Sequence, residues 1–204
     1  MPLPEPGFVL VDLPPVPPAL ADSYAALPQA GGACRHGQVL VSMSWTADDD
    51  WFFEVDTARA AAGRRALAGR PFTSALATLL RRLLRGPWLH TGTDWRVETH
   101  QLRTLVAPGA PIRAALPRLD AGELVLFAVV RQEGATGGGP RLVRADGAGP
   151  DREAALPPGR ALLADRRAVA PEVRELRATG PQPGVQDLLV CLVSRQRAGT
   201  ASAA

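Results

Sequence analysis

The sequence contains no lysine and no asparagine, and its only isoleucine is Ile112. All 23 basic residues are therefore arginine, a bias that a GC-rich coding sequence explains before function does. Without lysine the chain has no G-x-x-x-x-G-K-[ST] phosphate loop, and its serines have no G-x-S-x-G context. These absences exclude a phosphate loop of that type and the nucleophile elbow of the hydrolases.

Cysteine is also scarce, since Cys34 and Cys191 are the only two in the chain. They form no CxxC pair and no dense framework, so neither a zinc ribbon nor a disulfide scaffold is indicated. We expect both thiols to be reduced, as is usual in a cytoplasmic protein. Cys191 lies in an apolar segment, which predicts a place in the core.

The 23 basic residues are scattered among 20 acidic ones, which leaves a net charge of +3. Nucleic-acid-binding proteins cluster basic residues on one face, whereas the densest arginine group, at positions 81, 82 and 85, follows the polar side of a helical pattern.

No apolar run reaches the ~18 residues of a membrane helix. The proline-rich segment 1–18 lacks the basic and apolar regions of a signal peptide. We expect a cytoplasmic protein that binds neither nucleic acid nor membrane.

Hydrophobic periodicity predicts the elements. Residues 7–13 and 38–45 are predicted strands, and residues 19–27 a weak helix. Over residues 73–85 leucines recur at i, i+3, i+4, i+7 and i+8, which predicts a helix with its leucine face against a sheet. After residue 94, short strands alternate with Gly/Pro turns, which is typical of a sandwich, jelly roll or barrel. The predicted strands there are 95–106, 123–132, 138–145, 160–165, 168–176 and 187–195.

Three histidines limit acid–base and metal chemistry. His36, in a predicted Gly-rich exposed loop, and His90, before a predicted surface turn, are assigned no role. In the segment 95–106 alternate residues share a face, so Glu98 and His100 lie on the same side. The pair is either an acid–base dyad or a structural pair on a polar sheet edge.

Four segments carry a resemblance to a known family: WRVETHQLR, ELVLFAVVRQEGATGGGPRLV, LPPGRALLADRRAVAPEVREL and GVQDLLVCLVSR. They span residues 95–195, and their order resembles the end of the small bacterial iron(II)/2-oxoglutarate dioxygenases that hydroxylate free amino acids. The resemblance implies a mainly β fold with flanking helices, in which a double-stranded β-helix forms a jelly-roll or cupin-like barrel. We predict a single domain over residues 1–197, with N-terminal strands and a supporting helix over 1–94, the barrel over 95–197 and a disordered tail over 198–204.

The family's chemistry needs a His-x-Asp pair and a distal histidine, which leave three positions on iron open for 2-oxoglutarate and oxygen. Carried over from the TGGG turn without gaps, the His-x-Asp position falls on Arg118 and Asp120. The distal histidine falls on Pro171, or on Ala170 if the register shifts by one. The arginine that clamps the cosubstrate falls on Gln186. The resemblance thus implies one metal ligand of three, and we expect no metal and no cofactor.

A preserved barrel with altered cavity residues favours a metal-independent small-molecule enzyme, a cyclase or isomerase of a natural-product biosynthetic intermediate. The predicted site residues are Glu98, His100, Arg118 and Asp120 for catalysis and Arg103 and Gln186 for substrate binding.

Two alternatives remain open from the sequence. Arg118 and Asp120 could simply neutralise each other, in a noncatalytic protein that binds a metabolite or a partner enzyme. A hydroxylase could instead survive with an iron site reorganised around His100 and Asp120. The small-molecule substrate is the expected partner, and a homodimer is left open.

Overall fold

The structure, a computed structural model, describes residues 3, 7–27, 29–31, 34–45, 51–55, 70–84, 95–113, 116, 122–144 and 156–195. Within 29–31, 34–45, 51–55 and 70–73 it describes the backbone alone. The elements up to residue 84 are β1 (Phe8–Asp12), α1 (Pro18–Ser23), a 3-10 turn (Tyr24–Ala26), β2 (Gln29–Gly31), β3 (Cys34–Trp45), β4 (Trp51–Val55) and α2 (Arg70–Leu84). Those described after it are β5 (Trp95–Val106), β6 (Ile112–Arg113), β7 (Leu124–Glu133), β8 (Ala135–Gly137), β9 (Pro140–Arg144), β10 (Arg160–Asp165), β11 (Val169–Val173), β12 (Glu175–Ala178) and β13 (Gly184–Arg195).

Eight strands form one antiparallel main sheet in the order β1-β10-β7-β13-β5-β3-β2, and β4 pairs with β3 as well. The central strands β7 and β13 contain the apolar runs LVLFAVV and LLVCLV, because both faces of this sheet are covered. Strand β5 keeps an unbroken register with β13 from Trp95 to Val106. Its odd-numbered side chains therefore lie on one face of the main sheet and its even-numbered ones on the other.

The remaining strands form two small sheets, β11-β9 and β6-β12-β8. The backbone bonds Gly138 N–H to Glu175 O and Arg174 N–H to Gly139 O connect them, at 3.0 and 3.1 Å. The small sheets are thus two halves of one bent sheet. We call them together the minor sheet.

Two apolar clusters fix the layers. The first lies between the main sheet and the two helices, and includes Trp95, Val97 and Cys191 together with the α2 leucines. The second lies between the main sheet and the minor sheet, and includes Phe127, Val190 and, from β9, Leu142, among others. We call the first side of the main sheet the helix face and the second the inner face.

The leucine stripe of α2 is buried as its periodicity predicts; its members are Leu76, Leu79, Leu80, Leu83 and Leu84. Arg81 and Arg82 are exposed on the other side. Burying one such leucine contributes about 1.5–3 kcal/mol, so this stripe is the main reason that the helix stays on the sheet. None of the described helices is long and apolar enough to cross a membrane.

The mainly β, antiparallel jelly-roll fold with flanking helices is confirmed, with three differences in detail. The described strands form separate sheets and not one closed barrel. The strand predicted over 168–176 is two strands, because the chain bends at Arg174. His36 lies in β3 and not in a loop, because pairing with β5 overrides the weak strand propensity of its Gly-containing surroundings.

Strands from both sides of residue 94 share the main sheet, since β1 pairs with β10 and β3 with β5. The domain bounds remain a prediction. The predicted turn at residues 48–50, the tail over 198–204 and His90 lie outside the described residues.

Candidate functional site

Glu98 and His100 lie on the inner face of β5. Their directly paired neighbours on β13 are Leu192 and Val190, both members of the apolar cluster under the minor sheet, and paired side chains of antiparallel strands point to the same side. Nε2 of His100 is 3.0 Å from Oε1 of Glu98. The His100 side chain is 3% exposed and that of Glu98 is 26% exposed, so the pair runs from the interior towards solvent.

Gln186 lies on the same inner face, farther along β13, where it pairs with Thr104 of β5. Its side chain is 1% exposed, and Nε2 donates to the carbonyl oxygen of Gly137 at 3.4 Å. Gln186 lies four positions along β13 from Val190, the residue that pairs with His100. Four positions correspond to about 13 Å along a strand. Gln186 and the Glu98–His100 pair share a face but do not touch.

Gly138 shows how closely the minor sheet approaches Gln186. A Cβ atom at this position would lie 2.6 Å from Oε1 of Gln186, and Gly138 has a φ of +68°, which favours glycine. The glycine turn is therefore needed both for the bend and for the space that the Gln186 amide occupies.

Arg103 lies on the opposite side, on the helix face. Its Nε and Nη2 donate to the two carboxylate oxygens of Asp187, each at 2.7 Å. Asp187 is fully buried, and this hydrogen bonding raises the pKa of Arg103. A bidentate buried pair of this kind neutralises both charges within the fold, so Arg103 is not brought together with Glu98 and His100.

Next to this ion pair is a buried group that the sequence interpretation missed. Burial, and after it the nearby Asp187 charge, raises the pKa of Tyr24, whereas the Gln101 amide opposes the shift. The Gln101 Nε2 donates to Oγ of Ser23 at 2.7 Å. Counting residues from His100 along a strand would have placed Gln101 and Arg103 on the helix face. No local feature of the sequence identifies Tyr24 as a member of this buried group.

Cys191 is buried on the helix face, and its predicted place in the core is confirmed. The hydroxyl of Thr99 donates to its Sγ at 3.7 Å. Burial raises the pKa of this thiol to about 12. Because the thiolate is the nucleophilic form, Cys191 is inert at neutral pH.

Arg118 and Asp120 lie outside the described residues, and their catalytic roles remain predictions. The positions that the resemblance assigns to the distal histidine are Ala170, which is exposed, and Pro171, which is half-buried. They lie in β11, opposite Val143 and Leu142. Neither side chain has a metal-binding atom.

Across the described part of the chain, no three histidine, cysteine, aspartate or glutamate side chains come together closely enough to hold a metal ion. The region around Arg118 and Asp120 is outside that search. Within the described ranges, the inner face thus provides a Glu98–His100 pair and the buried amide of Gln186.

Comparison with known proteins gives one family and several solved structures. The family model described as 2OG-Fe dioxygenase matches residues 31–192. No curated protein sequence matches this chain significantly.

Three solved structures share the fold. IDO from Bacillus thuringiensis is 13% identical, with a TM-score of 0.69, and the match covers 94% of this chain and 91% of that one. A 2OG-Fe(II) oxygenase family oxidoreductase from Burkholderia pseudomallei is 18% identical, with a TM-score of 0.60 and coverages of 98% and 90%. A bsmA homolog from Methylobium petroleophilum PM1 is 20% identical, with a TM-score of 0.55 and coverages of 92% and 88%. At these identities the likeness concerns the fold.

Proposed function

Because this chain belongs to the 2OG-Fe dioxygenase family, we propose that it is a member that works without iron, as an acid–base enzyme acting on a small molecule at Glu98 and His100. The reaction class is a cyclisation or an isomerisation, in which protons move and no oxidant is consumed. The observation that carries the proposal is the 3.0 Å contact between the His100 imidazole and the Glu98 carboxylate, on the face where the two sheets of the fold meet.

The residues present do not fit iron and 2-oxoglutarate as the family binds them. Two histidines and a carboxylate form the facial triad of such enzymes. The corresponding positions here carry Arg118, Asp120 and either Ala170 or Pro171. An arginine next to a lone carboxylate repels a metal ion and offers the carboxylate an ion pair instead. No step of the proposed reaction passes through a metal.

The cosubstrate position supports the same conclusion. Gln186 stands where the resemblance puts the arginine that clamps a carboxylate. Its amide is neutral, buried and bonded to the Gly137 carbonyl oxygen. A neutral amide gives up the charge-assisted bidentate bond that makes arginine the usual carboxylate clamp.

In the proposed mechanism His100 takes a proton from the substrate and returns it at another position. The Glu98 carboxylate holds the ring in place and stabilises the positive charge that the ring then carries. The surrounding side chains, such as Val190 and Leu192, are apolar, which excludes water from the proton transfer. Arg118 and Asp120 are proposed to orient the substrate. Arg103 is left out, because Asp187 engages it on the other face.

The test uses the small-molecule extract of the source cells, incubated with chelator-treated protein and followed by mass spectrometry. We expect at least one compound to be converted to a product of unchanged mass, with a rate that falls by roughly 10²–10⁴-fold in His100→Gln. The control is Arg82→Gln, a change on the exposed side of α2. Equal conversion by His100→Gln, or conversion that starts only when iron(II) is added, would contradict the proposal.

A second candidate is a noncatalytic protein that binds a metabolite. It is favoured by the dense apolar packing around the pair, where Phe127 and Val190 are fully buried. In that case the extract would yield a compound that remains bound to the wild-type protein unchanged. Native mass spectrometry of the same incubation distinguishes retention from turnover.

A further inference from the structure

A buried polar contact attaches α1 to the helix face of the main sheet. Gln101 of β5 is buried, and its Nε2 donates to Oγ of Ser23 at 2.7 Å. The Ser23 hydroxyl in turn donates to the carbonyl oxygen of Leu20 at 2.6 Å. This second bond uses the only proton of the hydroxyl, so Oγ can accept from Gln101 but cannot donate to it. The order of donors and acceptors therefore fixes the orientation of the Gln101 amide.

Two buried oxygen atoms remain beside this contact. Oε1 of Gln101 and the hydroxyl of Tyr24 have no hydrogen-bond partner among the described residues, and Tyr24 is fully buried. The two side chains are neighbours, since burial raises the pKa of Tyr24 and the Gln101 amide opposes this rise. One oxygen is an acceptor and the other carries a proton to donate. Leaving both unpaired in the interior is costly, so a molecule that pairs with both stabilises the fold.

The neighbouring strands contribute little bulk next to the Gln101 side chain. Its paired residue on β13 is Leu189, and its paired residue on β3 is Gly37. Paired residues of antiparallel strands present their side chains to the same face, and glycine has none. At this row β3 therefore adds no side chain to the helix face, which suits a small molecule beside the amide.

The chemistry of the two oxygens selects the class of ligand. A bridging molecule has to accept the proton of the Tyr24 hydroxyl and donate a proton to Oε1 of Gln101. A metal ion cannot accept a proton, and the positive charge of Arg103, which also acts on Tyr24, disfavours a second cation there. An anion without a proton cannot donate to the amide oxygen. Water both donates and accepts, and it is the common ligand of buried polar groups.

We propose that the helix face contains a binding site for a buried water molecule, which accepts a hydrogen bond from the Tyr24 hydroxyl and donates one to Oε1 of Gln101. The water connects the 3-10 turn after α1 to β5, next to the bond between Ser23 and Gln101. It thus forms part of the attachment of α1 to the main sheet. This inference does not depend on the proposed function of the inner face.

The first test is a high-resolution crystal structure of the full chain. We expect an ordered water within about 3.2 Å of both the Tyr24 hydroxyl oxygen and Oε1 of Gln101. A direct hydrogen bond between the two side chains would overturn the proposal. So would density for a different occupant, or no density at this position.

The second test counts long-lived water molecules in solution by oxygen-17 magnetic relaxation dispersion. We expect the double variant Tyr24→Phe, Gln101→Met to bind about one long-lived water fewer per chain than the wild type, because both polar partners are removed. The control is Thr99→Val on the same face, whose hydroxyl donates to Sγ of Cys191; it is expected to keep the wild-type number. An unchanged number in the double variant, or an equal loss in the control, would contradict the proposal. If the double variant does not fold, the crystal structure of the wild type decides.

Discussion

Strand β5 contributes to one polar pair on each face of the main sheet, and the two pairs differ in their hydrogen bonding and in their exposure to solvent. On the helix face, Arg103 and Asp187 make two parallel hydrogen bonds of 2.7 Å. On the inner face, His100 and Glu98 meet through a single 3.0 Å contact, with Glu98 a quarter exposed. The helix-face pair uses its charges to hold the fold, whereas the inner-face pair keeps a side open towards solvent.

This difference shows why residues close in sequence need not share a site. Positions 98, 100 and 103 lie within six consecutive residues, yet the odd-numbered residue points away from the other two. A polar residue on the helix face is sealed by α1 and α2 and has to be paired there. One on the inner face lies between the two sheets, where the Glu98 side chain remains partly exposed.

The largest expected effect is the loss of the helix-face pair. We expect Arg103→Ala to lower the free energy of unfolding by about 3–5 kcal/mol, because it leaves the buried Asp187 carboxylate without a partner. Urea denaturation measures this, with Arg82→Ala as the control. The double variant Arg103→Met, Asp187→Leu is expected to recover most of the loss. A decrease below about 1 kcal/mol in Arg103→Ala would show that the pair is not buried as described.

The next effect concerns the inner face at Gln186. Gly138→Ala is expected to cost about 1–3 kcal/mol, because it combines an unfavourable backbone conformation with a clash against the amide. The matched control is Gly109→Ala, which has a φ of +71° but no atom within 4 Å of the added Cβ. The larger cost at Gly138 in thermal unfolding measures the close contacts of the added Cβ with the Gln186 amide and with Cδ1 of Leu176. Equal costs at the two glycines would mean that both side chains move away freely.

Alkaline pH is expected to weaken the helix face. Burial raises the pKa of Cys191 from 9.0 to about 12, so the unfolded chain loses this proton first. The stability that this difference provides is complete below pH 9 and is lost as the pH rises towards 12, by about 1.4 kcal/mol per pH unit. We expect Cys191→Val to flatten this slope in urea denaturation series. An unchanged slope would contradict the buried thiol.

Tyr24, the only tyrosine in the chain, gives an independent readout of the same face. Its pKa is raised above 10.0 by burial, so the ultraviolet absorbance of tyrosinate is expected to develop only as the protein unfolds. Circular dichroism recorded on the same samples locates unfolding. Tyrosinate formation in the folded protein near pH 10 would show that Tyr24 is accessible to solvent.

The smallest stability change is expected at the inner-face pair. Glu98→Gln is expected to alter the free energy of unfolding by less than about 1 kcal/mol, because the Glu98 side chain is partly exposed and polar contacts at such positions contribute little. Its effect on conversion of the extract compound is expected to be large, since the imidazole loses its charged partner. Thermal unfolding and turnover of the same variant separate the two roles. A large loss of stability with unchanged turnover would make the pair structural.

Local patterns predicted the elements well where one face of an element is buried. The leucine stripe of α2 follows from burial on one side and is readable from its spacing. The strand bounds 95–106 and 160–165 also agree with the structure, although β5 and β10 carry buried residues on both faces.

Features that depend on partners far away in the sequence could not be predicted from local residue spacing. His36 is in a strand because β5 provides its partner, and the split of 168–176 depends on the glycine turn that faces it. Nothing in the local sequence shows that Asp187 pairs with Arg103, 84 residues away. Counting residues along β5 is enough to assign each side chain to one of the two faces. It does not show which elements of the fold cover each face.

The proposal of a metal-independent site is tested most directly by the iron content of the protein. The chain is incubated without oxygen with excess iron(II) and 2-oxoglutarate, desalted and analysed by elemental mass spectrometry. Our account predicts that the desalted protein retains no stoichiometric iron. One iron per chain would contradict it and would show that residues around Asp120 and His100 rebuild a metal site.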